Sequence, residues 1–266
     1  MAAQNYPRVM AEIFKHEGGY VDHPRDPGGA TNMGITHITL AKYRNKPVAK
    51  ADVRALTIAE ARRIYRLRYW DKVHGDYLPY GYDLVTMDGA VNSGPARGVK
   101  WVQKAVGARV DGVMGGETLE ATRQGGPNGI SRACGARMGF LRGLRHWDAF
   151  GRGWSRRVAS VEAVALRMYL EADQSTSIAK GWIESLRDQL PGLAAKERRN
   201  AKAQGTVTAT GGAGGVAVVD IPPAATVGLA LGAIVVATLL IIRARRRAQY
   251  HEDRVEALSA TLEAMP

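Results

Sequence analysis

Residues 17–20 are Glu-Gly-Gly-Tyr, and residues 26–36 are Asp-Pro-Gly-Gly-Ala-Thr-Asn-Met-Gly-Ile-Thr. Before the first stretch, apolar side chains recur at helical spacing, at Val9, Met10, Ile13 and Phe14. This spacing predicts a short amphipathic helix. Glu17 continues the apolar stripe, and the two glycines after it supply the backbone freedom that ends a helix. A carboxylate is therefore expected at the apolar end of a helix, followed by a second one, Asp26, in a glycine-rich turn.

Glu17 is a candidate general acid. Partial burial disfavours an ionised carboxylate, and the negative end of a helix dipole does the same. Both effects favour the protonated form that an acid catalyst working near neutral pH requires. The alternative is a glutamate at a frayed helix end, hydrogen-bonded to a neighbour.

The segment after Glu17 is predicted to fold back beside it. Residues 22–29 are too rich in turn formers to be helical, so they predict a tight loop or short hairpin. Asp26 and Thr31 would then hold or deprotonate a water on the far side of a sugar ring. Inverting glycosidases use that arrangement, with their two carboxyl groups about 6.5–9.5 Å apart.

A zinc-protease site is excluded at this position. His16 and Glu17 begin an HExxH pattern, but Tyr20 occupies the place of the second histidine. No other cluster of metal ligands is evident, so neither a metal nor another cofactor is predicted.

The two stretches, in this order, resemble glycoside hydrolase family 108, the muramidases of phages and of bacterial secretion loci. The resemblance continues through Trp70-Asp71, Leu78-Pro79 and residues 88–94. It then extends into a small peptidoglycan-binding module with motifs at residues 101–107 and 111–118. Gly116 departs from the module pattern, in which proline is expected.

The resemblance, which spans about residues 6–170, implies a fold, a substrate and site residues. It implies that Glu17 is the proton donor, with Asp26 and Thr31 as partners, and that peptidoglycan is the substrate without a metal. The implied fold is a mainly α (α+β), lysozyme-like helical domain with a minor β element around residues 20–37. The expected domains are a catalytic domain at 1–94 and a peptidoglycan-binding helical module at 95–172, packed on it.

Local patterns place further candidates on helices. Thr57 to Glu60 form a capping box that predicts a helix to about Trp70, with Ile58, Ala61, Ile64 and Tyr65 facing inward. Residues 83–91 predict a buried helix on which Asp88 and Asn92 share a face. These two side chains either hydrogen-bond a glycan or tie down a helix end. Tyr20 and Trp70 are candidates to stack on sugar rings, although aromatic side chains at helical spacing are more often core.

The charge and the cysteine content of the chain indicate what it binds and whether it can form a disulfide. The chain has 37 Lys and Arg residues against 25 Asp and Glu, but the arginines are scattered and match no nucleic-acid-binding motif. Attraction to anionic cell-wall polymers is the favoured explanation. Cys134 is the only cysteine, so no intrachain disulfide forms, and a small buried residue is expected there.

The C-terminal third predicts a membrane anchor. Residues 191–223 resemble a flexible linker, residues 224–242 lack any charge, and residues 243–266 form a basic tail. The uncharged run is long enough to span the roughly 30 Å hydrocarbon layer. The following arginines predict a single-pass protein of the bacterial inner membrane with a periplasmic catalytic domain. Residues 1–25 contain no secretory signal, so export by the anchor or release through a phage-type pore, a holin, is expected.

The sequence thus predicts a membrane-tethered, endolysin-like N-acetylmuramidase that cleaves the β-1,4 bond between N-acetylmuramic acid and N-acetylglucosamine. A lytic transglycosylase or a chitinase are alternatives within the enzyme class. A non-catalytic, wall-binding or secretion-assisting membrane protein is the alternative from another class.

Overall fold

The computed structural model describes the backbone of residues 2–22, 29–173, 175–210 and 223–266, and the side chains of residues 4–22, 29–172, 175–204 and 235–266. The helices and strands in these ranges are, in chain order, α1 (Tyr6–His16), β1 (Thr31–Asn32), β2 (Ile35–Thr36), α2 (His37–Arg44), α3 (Lys50–Arg54), α4 (Ile58–Tyr65), α5 (Tyr82–Ser93), α6 (Pro95–Val106), α7 (Gly116–Gln124), α8 (Gly126–Leu141), α9 (Trp147–Asp173), α10 (Thr176–Thr210) and α11 (Pro223–Glu263). The predicted mainly helical, lysozyme-like fold with a minor β element is confirmed.

Short turns of other helical types complete the chain path. A π-helical turn, Arg66–Trp70, follows α4, and 3-10 turns lie at Ala2–Asn5, Asp71–Val73 and Gly75–Tyr77. The helix predicted to reach Trp70 therefore changes its hydrogen-bond pattern after Tyr65. Such π-helical turns are frequent at functional sites.

Capping side chains set the start of α4, as the sequence predicts. The Thr57 hydroxyl accepts a hydrogen bond from the backbone N–H of Glu60 at 3.2 Å. The Glu60 carboxylate does not complete the capping box but binds the Arg44 guanidinium of α2, at 2.8 and 2.9 Å. Tyr65 and its inward-facing neighbours are buried, but Ile58 is exposed, so its predicted inward position is wrong. Ile58 occupies the first helical position, beyond the reach of the core.

Helix α5 forms the core of the N-terminal part of the chain. Residues 82–90 are all buried, which confirms the predicted buried helix. Its partner α6 approaches closely at Gly98, where an added Cβ would lie 2.8 Å from the backbone of both Thr86 and Ala90. The absence of a side chain at Gly98 therefore sets the separation of the two helices.

The polar turn after α6 is held by one buried amide. Gln103 donates to the Asp111 carboxylate at 2.8 Å and accepts from the backbone N–H of Gly112 at 2.8 Å. Hydrogen bonds from the Val113 N–H, from Gln103 and from Arg109 hold the pKa of Asp111 well below its usual range. Gly116, where proline is expected, is the first residue of α7, a position at which proline loses no helical hydrogen bond.

The chain divides into two compact units. Unit 1 comprises Met1–Arg137 and Val164–Gln174, and unit 2 comprises Met138–Ala163 and Ser175–Pro266. The expected catalytic domain at 1–94 and most of the expected module at 95–172 fall in unit 1. The boundary between them, after residue 94, stays a prediction.

Unit 2 is built around the antiparallel helices α10 and α11. Arg198 of α10 pairs with Glu252 of α11, and Ala244 and Ala248 of α11 are buried. Glu162 of α9 is 1% exposed and accepts hydrogen bonds from Tyr250 at 2.8 Å and from Arg254 at 2.6 Å. These contacts fasten the C-terminal half of α11 within its unit.

The prediction of a transmembrane helix at 224–242 is wrong. In the part of the chain that the structure describes, no helix is both long and apolar enough to cross a bilayer. The apolar run continues directly into the charged half of α11, which packs on α10 and contacts Glu162 of α9 through Tyr250 and Arg254. The single-pass inner-membrane localisation is corrected with it, and the membrane and a holin lose their support as partners. The residues predicted as a basic tail, 243–266, are the second half of this helix and its end.

The flexible linker predicted at 191–223 is helical in its first part. Residues 191–210 belong to α10, where Leu190, Ala194 and Ala201 are buried at helical spacing. This apolar face packs on α11, a partner that the linker's own composition does not reveal. Residues 211–222 lie outside the described part of the chain.

Asp83 gives unit 1 a pH-dependent stability. The side chain is fully buried, accepts a hydrogen bond from Asn5 at 2.7 Å, and has its pKa raised by burial to about 7. The folded state therefore binds a proton between about pH 4 and pH 7 that the unfolded state does not. The free energy of unfolding contributed by Asp83 falls as the pH rises through that window.

We predict that Asp83→Asn makes the protein more stable than the wild type at pH 8 but not at pH 4. The introduced amide carries no charge to bury, and Asn5 can rotate its own amide to pair with it. Thermal unfolding at the two pH values measures the difference, worth up to about 1.4 kcal/mol for each unit of pKa shift. Asp188→Asn, which removes an exposed carboxylate of α10, is the control. Parallel pH profiles for wild type and Asp83→Asn would contradict this account.

Candidate active site

Glu17 lies at the end of α1, as the sequence predicts. The helix ends at His16, and the Glu17 backbone is extended, with φ −92° and ψ 135°. Its side chain is half-buried. The carboxylate is thus both anchored by the fold and accessible from solvent.

A β-hairpin folds back beside Glu17, as expected. Strands β1 and β2 pair antiparallel, with Asn32 opposite Ile35. The residues between them, Met33 and Gly34, have φ values of 48° and 71°, as in the type I′ turns typical of two-residue hairpins. The Met33 N–H donates to the carbonyl of Gly18 at 3.1 Å and joins the turn to the residue that follows Glu17.

The Glu17 carboxylate lies directly against the hairpin turn. A Cβ added to Gly34 would lie 2.6 Å from Oε2 of Glu17 and closer still to the Tyr65 hydroxyl. The same hydroxyl donates to the Met33 carbonyl at 3.0 Å. Gly34 is therefore required both for its positive φ and for the space that two functional groups occupy.

Aromatic rings flank this arrangement. The Tyr65 ring packs edge-on against Phe14 and tilted against Tyr69, with both centroid distances 5.5 Å. Phe14 precedes Glu17 by one helical turn, so the rings extend along the same side of α1. They exclude water from one flank of the site and restrict movement of the Tyr65 hydroxyl.

The predicted catalytic partners differ in what the structure describes. Asp26 lies outside the described residues. Thr31 lies in β1, where its backbone pairs with Val21 on one side and Thr36 on the other. Its hydroxyl donates to the Gly29 carbonyl at 3.2 Å. The hairpin thus brings the strand that carries Thr31 beside the segment that follows Glu17.

The four predicted substrate-binding residues differ in their exposure to solvent. Tyr20 is half-buried, with the Arg54 guanidinium 4.4 Å from its ring centroid, so one face of the ring is already covered. Asn92 is exposed near the end of α5. For both residues, glycan binding stays a prediction.

Trp70 and Asp88 lie in the core, where a glycan cannot reach them. Trp70 has no exposed surface, packs against Tyr6 and donates to Asp76 at 2.8 Å. Asp88 is also fully buried and forms an ion pair with the buried Arg137. Tyr6 and Arg137, which cover Trp70 and Asp88, are distant from them in sequence, so helical spacing alone could not distinguish these positions from a cleft.

Sequence reasoning missed the roles of Gly34 and Tyr65 in shaping the site. The Asn-Met-Gly-Ile sequence carried a signal for the turn, because an Asn-x-Gly segment between strand-forming residues favours positive φ. Nothing in the sequence indicated that Tyr65 would bind that turn. In the described ranges, no three His, Cys, Asp or Glu side chains are grouped to hold a metal ion.

The comparisons with known proteins cover the part of the chain that contains this site. Residues 10–94 match the model of the family glycosyl hydrolase 108, a range that includes Glu17 and the hairpin. The solved structure of SagA from Brucella abortus is 49% identical, with a TM-score of 0.56, and the match covers 63% of this chain and 97% of that one. No curated protein matches the chain. With a carboxylate held over a glycine turn inside the matched range, the chain belongs to glycoside hydrolase family 108 and is a lysozyme-like glycoside hydrolase.

Proposed function

We propose that the protein is an N-acetylmuramidase that hydrolyses the β-1,4 bond between N-acetylmuramic acid and N-acetylglucosamine in peptidoglycan. The observation that carries this proposal is the position of Glu17, whose carboxylate lies against the Met33–Gly34 turn within the range that matches the family model. Glycosidases of this kind require a carboxyl group with a fixed orientation and open access to substrate.

Glu17 acts as the general acid. Its proton passes to the glycosidic oxygen as the bond between that oxygen and the anomeric carbon breaks. The aromatic side chains of Phe14 and Tyr65 flank the carboxylate and limit its motion, which keeps the proton directed at one point. The Gly34 backbone leaves room for the carboxylate beside the sugar-facing turn.

Asp26 and Thr31 act on the water. In the proposed mechanism, a water molecule attacks the anomeric carbon from the opposite face and loses its proton to Asp26, while Thr31 orients it. What supports this assignment is the chain path, since β1 pairs with Val21 four residues beyond Glu17 and carries Thr31 to the same region. With Glu17 as the acid and Asp26 as the base on the opposite side of the sugar, the proposed reaction is that of an inverting glycosidase.

The basic charge of the chain serves the same substrate. Peptidoglycan sacculi carry stem-peptide carboxylates, and a net charge of +12 attracts them over distances comparable with the Debye length. This attraction raises the rate of encounter and weakens as salt is added. It requires no contact with the reacting bond.

We predict that Glu17→Gln lowers release of glycan fragments from purified peptidoglycan by at least about 100-fold, because glutamine cannot donate the proton. Mass spectrometry of the products identifies the reaction. Reducing muramic acid ends that disappear in the variant are the expected result.

The matched control is Glu12→Gln, which removes a carboxylate from the same helix, where Glu12 pairs with the exposed Lys15. It should retain wild-type activity. Anhydro-muramic ends would assign the protein to the lytic transglycosylases, and unsubstituted chitin as the better substrate would assign it to the chitinases. Full activity of Glu17→Gln would refute the acid role.

We also predict that Gly34→Ala removes most of the activity while the protein stays folded. The new methyl group would displace the Glu17 carboxylate or the Tyr65 hydroxyl, and a shift of that size misaligns a general acid. The loss should appear in kcat on soluble glycan fragments.

Gly107→Ala separates this effect from backbone strain. Gly107 has φ +76°, close to the +71° of Gly34, but nothing lies within 4 Å of its added Cβ. Backbone strain should cost both variants on the order of 1 kcal/mol of stability, because alanine is strained at positive φ, and only Gly34→Ala bears the steric displacement in addition. Only Gly34→Ala should lose kcat, and equal activities in the two variants would show that the space above Gly34 is not needed.

A further inference from the structure

One cavity in unit 1 shares no residue with the Glu17 site described above. It has a volume of about 360 Å³, and the side chains used below are Tyr77, Tyr80, Arg123 and Tyr169, which we term the tyrosine pocket. Three of the ten tyrosines in the chain line it. This concentration of aromatic side chains around one cationic group is unusual for a protein surface.

The walls of the tyrosine pocket are held by the core beneath them. Tyr169 packs edge-on against Tyr82 at a centroid distance of 6.0 Å, and Tyr82 is fully buried with its hydroxyl bound to the Gly126 carbonyl. Leu78, between two of the tyrosines, is 1% exposed. The Tyr169 ring is therefore positioned before any ligand arrives, which reduces the entropy lost on binding.

Two side chains of the pocket face solvent. Tyr77 is 60% exposed, a large fraction for an aromatic ring. Arg123 pairs at 3.0 Å with Glu120, but the two side chains are 53% and 57% exposed. An ion pair in water contributes little, so Arg123 can exchange Glu120 for a ligand carboxylate at small cost.

The chemistry of this pocket matches one class of ligand. Aromatic rings stack on the apolar C–H faces of pyranose rings, and a guanidinium binds carboxylates in a two-point geometry. A glycan strand that carries acidic stem peptides presents both features side by side. We propose that the tyrosine pocket is an accessory binding site for the peptidoglycan strand, with the tyrosines on a sugar ring and Arg123 on a stem-peptide carboxylate.

This inference rests on the proposed function, because it takes peptidoglycan as the substrate. A second attachment point raises the effective concentration of strand at the Glu17 site. It acts on insoluble wall, where one strand reaches both sites, and not on short soluble fragments. The pocket therefore lowers KM for sacculi and leaves kcat unchanged.

The test measures binding of the full chain to purified insoluble peptidoglycan by co-sedimentation, in a Glu17→Gln background that does not consume the probe. We expect Tyr77→Ala and Arg123→Gln each to weaken binding about tenfold. Phe150→Ala is the matched control, because Phe150 is an aromatic residue with 56% exposure outside the pocket, and it should bind as the parent does.

Chitin, which has the sugars but no peptide, separates the two contacts. Tyr77→Ala should weaken binding to chitin, and Arg123→Gln should not. In the active background, the two pocket variants should raise KM for sacculi and keep the wild-type kcat on soluble fragments.

Unchanged sedimentation of both pocket variants would overturn the proposal, and so would an equal loss for Phe150→Ala. An equal effect of Arg123→Gln on chitin and on peptidoglycan would overturn the carboxylate contact. Failure of the muramidase proposal is separately visible, since it concerns the products released by the protein with Glu17 intact. The pocket would then still be supported by Tyr77-dependent binding to the wall.

Discussion

Burial of residues 82–90 of α5 on every side is the constraint on which unit 1 depends. Each polar group in this stretch must find an internal partner, because an unpaired buried group costs several kcal/mol. Asp83 is paired by Asn5, Asp88 by Arg137, and the Thr86 hydroxyl by the Tyr82 carbonyl of its own helix. The elements that supply these partners are thereby fixed around α5.

Burial of α5 also requires its neighbouring segments to approach it closely. The chain enters α5 through Gly81, which has φ +81° and lies so close to the Ala165 carbonyl of α9 that no Cβ would fit. On another face, Gly98 of α6 lets that helix approach the α5 backbone closely. Two glycines, rather than complementary side chains, thus determine how closely the neighbouring helices approach, since close-packed interiors leave no room for adjustment.

The sequence predicts elements better where the signal is local. The helix that ends before Glu17, the Thr57 cap, the hairpin around Gly34 and the buried α5 each depend on residues within a few positions of one another. Trp70, by contrast, was a candidate to stack on a sugar ring, because helical spacing of aromatic residues fits a binding cleft as well as a core. Its burial depends on Tyr6, which is 64 positions earlier, and on Asp76.

In the C-terminal third, too, the prediction failed because the partners in the fold are far apart in sequence. The apolar run at 224–242 satisfies the length of a membrane span, and residues 191–223, which include Ala194 and Ala201, have the composition of a linker. Both interpretations treat each segment alone. In the structure α10 and α11 pack on each other, and the partners are separated by roughly fifty residues at Arg198 and Glu252. Helical spacing of apolar residues can indicate that a segment has a buried face, but it does not identify a partner that far away in the sequence.

The candidate site depends on contacts from outside its own sheet. Two strands of two residues cannot fix a catalytic geometry, because an isolated hairpin is marginally stable at best. The Asn32 amide donates to the Val53 carbonyl at 3.0 Å, and so binds β1 to the end of α3. The Tyr65 hydroxyl holds the turn from α4, and the Gly18 carbonyl holds it from the end of α1. The position of the Glu17 carboxylate is thus determined by three helices acting on one turn, which explains how a short, glycine-rich segment orients a general acid.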